Sequence, residues 1–426
     1  MYTRSQPLIQ FLLPFTLTVV CVLAARNPVT AQEWTRFRGP NGTGVSAAST
    51  IPVVFGTSDY NWRVAVPGIG HSSPVLWGSK IFLTSAEEAQ GKRHVLCLDT
   101  ANGSILWTKS YPFKPYNRHE YNTAASATPV VDSERVYTTW TTHETFTVTA
   151  LDHSGNEVWS KDFGSFPTQH GGATSPMLHG DLLIVTKEPE NADGSILALN
   201  PKTGDVVWRF DRPNPGMAPY ATPIIRKTTS GTEELLIAST TNGITALNPQ
   251  SGKVLWETGN IFPQRIVGGL VEAGGHLIAT CGNGAGFRSA VAVKPGPNPK
   301  VAYQINKGTS YVPTPILANG LLFFWHDSGI VLCVKPESGD IVWQERAAAA
   351  MFFGSPVCVN GKLYAMSAKG ELIILDAADR FNVAARVDLG EPSHATPAIS
   401  AGVMYLRTFN HLISVGGKQQ ATKEVK

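Results

Sequence analysis

Imidazole, guanidinium, carboxylate and phenol groups recur at one kind of position in this sequence. Each stands a few residues ahead of a short apolar segment: His71, Glu120 with Asn122, His170, Tyr220, Arg265, Tyr311, Phe353 and His394. If those segments are equivalent strands of a closed ring, the residues before them gather at one end of its axis. Such a set could hold an anionic or aromatic small molecule, because Arg and His pair with acids and aromatic rings stack on flat groups. Arg265 is the leading candidate anion clamp, since a guanidinium grips a carboxylate through two parallel hydrogen bonds. A second group, His143, Glu188, Arg288, His326 with Asp327, and His411, lies where loops between second and third strands should join the same end. The competing reading is a solvated channel mouth with histidines that only pack between blades. No metal site is expected, because no HxH or HxxxH spacing preorganises these histidines. Other chemistry-bearing strings fail on context. Asp162-Phe163-Gly164 has no accompanying kinase motifs. Gly282-Asn283-Gly284-Ala285-Gly286 lacks the dinucleotide-loop spacing.

The elements that must position these residues come from an internal repeat. A Ser/Thr-Pro pair opens each unit and a Trp closes it. The units run Ser73-Pro74 to Trp107, Thr128-Pro129 to Trp159, Ser175-Pro176 to Trp208, Thr222-Pro223 to Trp256 and Thr314-Pro315 to Trp343. Two more open at Ser355-Pro356 and Thr396-Pro397. A degenerate fifth unit has Gly268-Gly269 for the opening pair and Tyr303 for the Trp. The spacing falls from 55 residues between Pro74 and Pro129 to 41 between Pro356 and Pro397. Repeats of this length with alternating strands predict an all-β fold, an eight-bladed β-propeller of four-stranded antiparallel blades. Turns such as Asp99-Thr100-Ala101-Asn102-Gly103 and Asn248-Pro249-Gln250-Ser251-Gly252 should link third to fourth strands, with Asx side chains bonding local backbone and Gly taking positive φ. The last unit lacks a fourth strand, whereas Asn61-Trp62-Arg63-Val64-Ala65-Val66 precedes the first unit with an unclaimed Trp. That N-terminal strand should complete blade eight and close the ring, which removes an exposed edge.

The pattern Ala/Cys-Leu-Asp/Asn, a short turn, Ser/Thr-Gly and then Trp resembles the pyrroloquinoline-quinone-like (PQQ-like) repeat over about residues 61–417. Quinoprotein alcohol dehydrogenases share that repeat, as does the propeller lipoprotein of the bacterial outer-membrane assembly machine. Trp34-Thr35-Arg36-Phe37-Arg38-Gly39-Pro40-Asn41-Gly42-Thr43-Gly44 and Gly68-Ile69-Gly70-His71-Ser72-Ser73-Pro74 are similar to a subgroup of secreted propellers from planctomycete-type bacteria. For an enzyme, the resemblance implies PQQ with Ca²⁺ on the axis, a catalytic Asp and a vicinal Cys-Cys disulfide. This sequence has no adjacent cysteines, and no metal ligand or catalytic Asp maps onto it. The expected function is therefore a non-catalytic binding or scaffold propeller, with a PQQ-dependent oxidoreductase acting on alcohols or sugars as the alternative. Its partner would be a protein or a small anionic or aromatic ligand.

The remaining features set the compartment. Arg4, the apolar run from Leu8 to Ala25 and the small residues of Val29-Thr30-Ala31 read as a secretory signal over residues 1–31. A retained membrane anchor is the alternative, since the run is about long enough to span a bilayer. Residues 32–60 form an N-terminal extension, 61–417 the propeller and 418–426 a polar tail. The chain is expected to be secreted or periplasmic. Charged residues are 16% of the chain and the net charge is +3, with no basic block outside the tail, so nothing points to nucleic acid. Cys97, Cys281, Cys333 and Cys358 are far apart in sequence; Cys97 and Cys333 stand where other repeats carry Ala, as apolar filling.

Overall fold

The computed structural model describes residues 34–417 and the first two residues. But for those two, the expected signal segment lies outside the described residues, as does the expected tail. No described helix is long and apolar enough to cross a membrane. The described residues form eight sheets, each a meander of consecutive antiparallel strands. The chain is the eight-bladed propeller its repeat predicts. Blade 8 takes its outer strand from Tyr60–Ala65, which pairs antiparallel with His411–Gly416 and brings Trp62 opposite Ser414.

Two blades depart from four strands. In blade 5 the inner strand is split into Arg265–Ile266 and Val271–Ala273, both paired with His276–Gly282. The break falls at Gly268-Gly269, where the opening pair is missing. In blade 7 a fifth strand, Val45–Ser46, runs parallel to Val357–Val359.

The closing aromatic has a repeated geometry. In every blade the register slips by one residue just before the closing position, a β-bulge that re-aims the ring where one is present. The ring then reaches the third-to-fourth-strand turn of the next blade. Trp62 Nε1 donates to Thr100 O at 2.9 Å, Trp107 to His153 O at 3.0 Å, Trp159 to Pro201 O at 2.9 Å and Trp208 to Pro249 O at 2.9 Å. Trp343 does the same to Ala378 O at 3.0 Å, and Tyr303 uses its hydroxyl on Pro336 O at 2.6 Å. The turn glycine lies under that ring. At Gly252 (φ 66°) a Cβ would sit 2.5 Å from Trp208, so the position needs glycine for space as well as for its positive φ. The turn's Asx side chain behaves as expected: Asn248 Oδ1 accepts from Gln250 N at 3.0 Å and Asp99 Oδ1 from Ala101 N at 2.7 Å.

The opening Ser/Thr has a matching role at the inner strands. Its side-chain oxygen accepts a hydrogen bond from the backbone N–H of the equivalent residue in the preceding blade. The bonds run Ser73 N to Thr128, Thr128 N to Ser175, Gly269 N to Thr314, Thr314 N to Ser355, Ser355 N to Thr396 and Thr396 N to Ser73, at 2.9–3.3 Å. This belt crosses the ring closure between blades 8 and 1. It is interrupted between Ser175 and Gly269: Thr222 takes no part in it, and Gly268-Gly269 has no hydroxyl to offer.

The N-terminal extension does more than connect. Trp34 O accepts from Leu76 N, Thr35 O from Val131 N and Gly44 O from Cys358 N, all at 2.8–2.9 Å. The Asn41 side chain bonds both backbone groups of Ile225. Arg36 donates to Pro223 O at 2.6 Å, and Arg38 to Thr314 O at 3.0 Å and Pro315 O at 3.2 Å. One short segment can touch the inner strands of blades 1, 2, 4, 6 and 7 only by lying where those strands converge. Residues 34–46 therefore plug the axis. Residues 50–55 fill a second gap. Blade 7 has Ala385 opposite Ile374, where the other blades place an aromatic or its equivalent. There Thr50 bonds Gly402 O at 2.7 Å, Ile51 and Phe55 are buried, and a Cβ on Gly416 would come 3.1 Å from Ile51.

Candidate functional site

Loops leading into the inner strands surround a cavity of about 430 Å³ at one end of the axis. Of the nine residues selected from the sequence, His71, Glu120, Asn122, His170, Tyr220, Tyr311, Phe353 and His394 line it. Arg265 does not. From the second-to-third-strand loops, Arg288 and Asp327 reach the lining. Glu188 is instead spent on a buried pair with Arg212 at 2.8 Å, and His411 pairs with Glu391. Sequence reasoning missed His119, Tyr121, Met351 and the plug residue Phe37, all of them in the lining. The 55-residue first spacing was the available signal for the first two. It marks the long connection from blade 1 to blade 2, which carries His119, Glu120, Tyr121 and Asn122 over the mouth.

The wall is largely aromatic. His71 and His394 lie with ring centroids 4.5 Å apart, and Phe353 is 4.3 Å from His394. Tyr121 reaches across to Phe353 at 5.0 Å. His119 stacks on His170 at 5.0 Å with an interplanar angle of 4°. These imidazoles are not the cations an acid-binding reading of the sequence called for. Burial pushes His394 down to about 4, against a hydrogen bond from its ring to the Tyr121 backbone. Burial, then the charge of Arg265 and the neighbouring His119, bring His170 to about 4. His71 is held well below the usual histidine range by burial, followed by His394, Arg407 and Arg118. All three are neutral at pH 7.

Arg265 is likewise engaged. Its guanidinium pairs with Glu190, bonds His170 and sits 5.9 Å over the Tyr220 ring, with only 4% of its side chain exposed. The expected clamp on a ligand is a wall brace instead, because Glu190 from blade 3 already supplies its carboxylate. The other polar groups are similarly occupied. Asp327 accepts from Arg288 Nε at 3.1 Å, Tyr311 N at 2.8 Å and Val312 N at 3.0 Å. Asn122 donates to His170 O at 2.6 Å and accepts from the Ser126 hydroxyl. The Tyr220 hydroxyl is 2.9 Å from that of Thr168, and burial raises its pKa.

The cofactor implied by the resemblance fits this mouth poorly. No group of three or more His, Cys, Asp or Glu among the described residues is placed to hold a metal ion. Asp327 and Asn122 already satisfy protein donors, which leaves Glu120 as an isolated carboxylate at the rim. Arg265 and Arg288 of the wall carry carboxylate partners, so a quinone bearing several acid groups meets little free positive charge in the wall. The four described cysteines are unbridged and buried. Burial raises Cys281 and Cys358 to about 11 and Cys97 and Cys333 to about 12, so none is a ready thiolate.

Among solved structures, the chain resembles a europium-containing methanol dehydrogenase with a TM-score of 0.63 and 12% identity, over 89% of this chain and 90% of that one. It resembles the quinohemoprotein alcohol dehydrogenase of Comamonas testosteroni with a TM-score of 0.64 and 13% identity, over 92% and 82%. It also resembles BamB from Moraxella catarrhalis, with a TM-score of 0.55 and 13% identity, over 84% and 98%. At such identities the likeness is one of fold. A search of the curated proteins finds no match. A family model described as outer membrane protein assembly factor BamB matches residues 56–192, 91–345 and 327–422, which together span most of the chain, so this protein belongs to that family of PQQ-like propellers.

Proposed function

We propose that this chain is a non-catalytic recognition propeller that works outside the cytoplasm and receives its partner at the axial mouth. One observation carries the reading. Arg265, Arg288, Asp327, Asn122 and Tyr220 are already bonded within the wall, while the aromatic faces of Tyr121, Phe353, His394 and His119 stand around an open cavity. Groups of that kind give large contact area at small conformational cost, as binding surfaces require. Membership of a family described as an assembly factor supports a protein partner, and the N-terminal signal-like segment supports export. A PQQ-dependent oxidoreductase is the competing reading, favoured by the likeness in fold to two quinoprotein dehydrogenases. The deciding experiment adds PQQ and Ca²⁺ to purified protein. Quinone absorbance that survives desalting, with dye reduction by alcohols or sugars, would overturn the recognition reading. Recognition at the mouth further requires that Tyr121→Ala with Phe353→Ala abolish co-purification of an exported partner while thermal stability is kept.

A further inference from the structure

The floor of the mouth differs in chemistry from its wall. Thr128, Ser175, Thr222, Thr314, Ser355 and Thr396 all line the cavity, one from each of six blades. Five of these hydroxyls accept a belt hydrogen bond from a neighbouring backbone N–H. A hydroxyl carries one donor hydrogen as well as its lone pairs. Five of the six have a lone pair committed to the belt, and no acceptor among the described residues takes the O–H of any of the six, so the hydrogens are left to whatever occupies the axis. Thr222 stands outside the belt, since its hydroxyl has no protein partner at all.

A second, independent feature lies with the floor. Arg36 and Arg38 flank Phe37 in the plug, and Arg407 lies under His71, bonded to Ser72 O and Oγ. All three are buried, and none makes an ion pair among the described residues. Arg36 and Arg38 bind backbone carbonyls instead, and the Nε of each of the three is without a partner. Burial lowers them only to about 10, 9 and 9, so each stays charged at neutral pH. Buried charge is normally paired. Here three uncompensated cations are bonded at or next to three of the opening pairs that carry the hydroxyl ring, at Pro223, at Thr314-Pro315 and at Ser72. The opposing charges at the mouth are Glu120 at the rim and Asp327, which Arg288 already balances.

We infer that the floor of the axial mouth is an anion subsite, in which the hydroxyl ring and the field of the buried arginines take a carboxylate-type head group while the aromatic wall takes the body attached to it. The inference rests on the mouth being a recognition site and names the chemistry it recognises: an aromatic or apolar group that ends in a small oxyanion. The hydroxyls give short-range hydrogen bonds that an ammonium group cannot use. The arginines add attraction without touching the ligand, which a low effective dielectric strengthens.

Benzoate and its neutral isostere benzamide, titrated separately into the full chain by calorimetry or NMR, test the inference. Benzoate should bind at least about tenfold more tightly than benzamide, because charge-assisted hydrogen bonds are roughly twice as strong as neutral ones. Thr222→Val preserves shape and breaks no bond in the belt. It should weaken benzoate roughly three- to tenfold, leave benzamide unchanged and leave the melting midpoint unchanged. Equal affinity for the two probes, or a Thr222→Val variant that binds benzoate as well as the parent, overturns the anion subsite while leaving the mouth as a recognition site. No binding of either probe at millimolar concentration also overturns it. Failure of the broader reading has a different signature, namely quinone retention or partner capture that survives loss of Tyr121 and Phe353.

Discussion

Removing the indole of Trp208 should cost this propeller a large share of its stability, and the structure says how much comes from where. Trp208 is 8% exposed and packs with Met177, Leu182, Ile184, Ile196, Ala198, Leu235, Ile237 and Leu247 at the junction of blades 3 and 4. Its ring covers Gly252, and its Nε1 bonds Pro249 O at 2.9 Å. Truncation to alanine opens a cavity worth about 3–5 kcal/mol. The Pro249 carbonyl loses its donor, which adds about 1 kcal/mol if water cannot reach it. Trp208→Phe keeps a ring over Gly252 and loses only the N–H and some volume, so it should cost about 1–2 kcal/mol. Urea unfolding followed by far-UV circular dichroism reads both variants, provided the slope with denaturant is unchanged. Trp208→Ala within about 0.5 kcal/mol of the parent, which is the range of a neutral surface substitution, would refute the assignment of the closing aromatics as blade-to-blade packing. Altered ligand binding in such a variant would instead make Trp208 part of a site.

Deletion of residues 32–66 removes the axial plug, the filler between blades 7 and 8 and the outer strand of blade 8 together; the product should aggregate and show no cooperative melting transition, and an unchanged midpoint would contradict ring closure. Arg265→Ala should destabilise the fold by about 3 kcal/mol, because it strands Glu190 in the wall; a variant with the parent's stability would show that the pair carries none. Acidification should weaken the fold. For His170 and His394 the folded pKa lies below the unfolded value, so the unfolded chain binds more protons between pH 6.5 and about 4 and stability falls as pH drops through that window. The urea midpoint measured against pH should slope less in His394→Phe than in the parent, and identical slopes would reject the assignment.

The sequence made the blades legible because each carries its own complete instruction. Ser or Thr, Pro, an Asx-Gly turn and Trp recur at fixed offsets, and most of the hydroxyls and closing rings bond the next or the preceding blade. Trp62 without a blade and a last unit without a strand were enough to close the ring. The mouth was legible as a place, since the loops that enter inner strands must converge; eight of nine selected residues line the cavity. Their states were not legible. Protonation depends on burial and on which neighbours arrive, and nothing in the string His170 or Arg265 announces that Glu190, from a different connection of blade 3, will occupy that guanidinium.

The plug shows the limit of reading a repeat. Trp34-Thr35-Arg36-Phe37-Arg38-Gly39 stands outside the periodicity, so no offset assigns it a position. The structure buries both arginines, because an axial channel lined by inner strands presents backbone carbonyls that a guanidinium can satisfy where no carboxylate exists. That substitution has a consequence for function. Carbonyl partners bond the terminal nitrogens of Arg36 and Arg38 without cancelling their charge, so the segment that seals the axis also leaves it positive. Repetition builds the ring, but the parts able to distinguish one ligand from another are those that do not repeat: the long first connection, the split fifth blade and the plug.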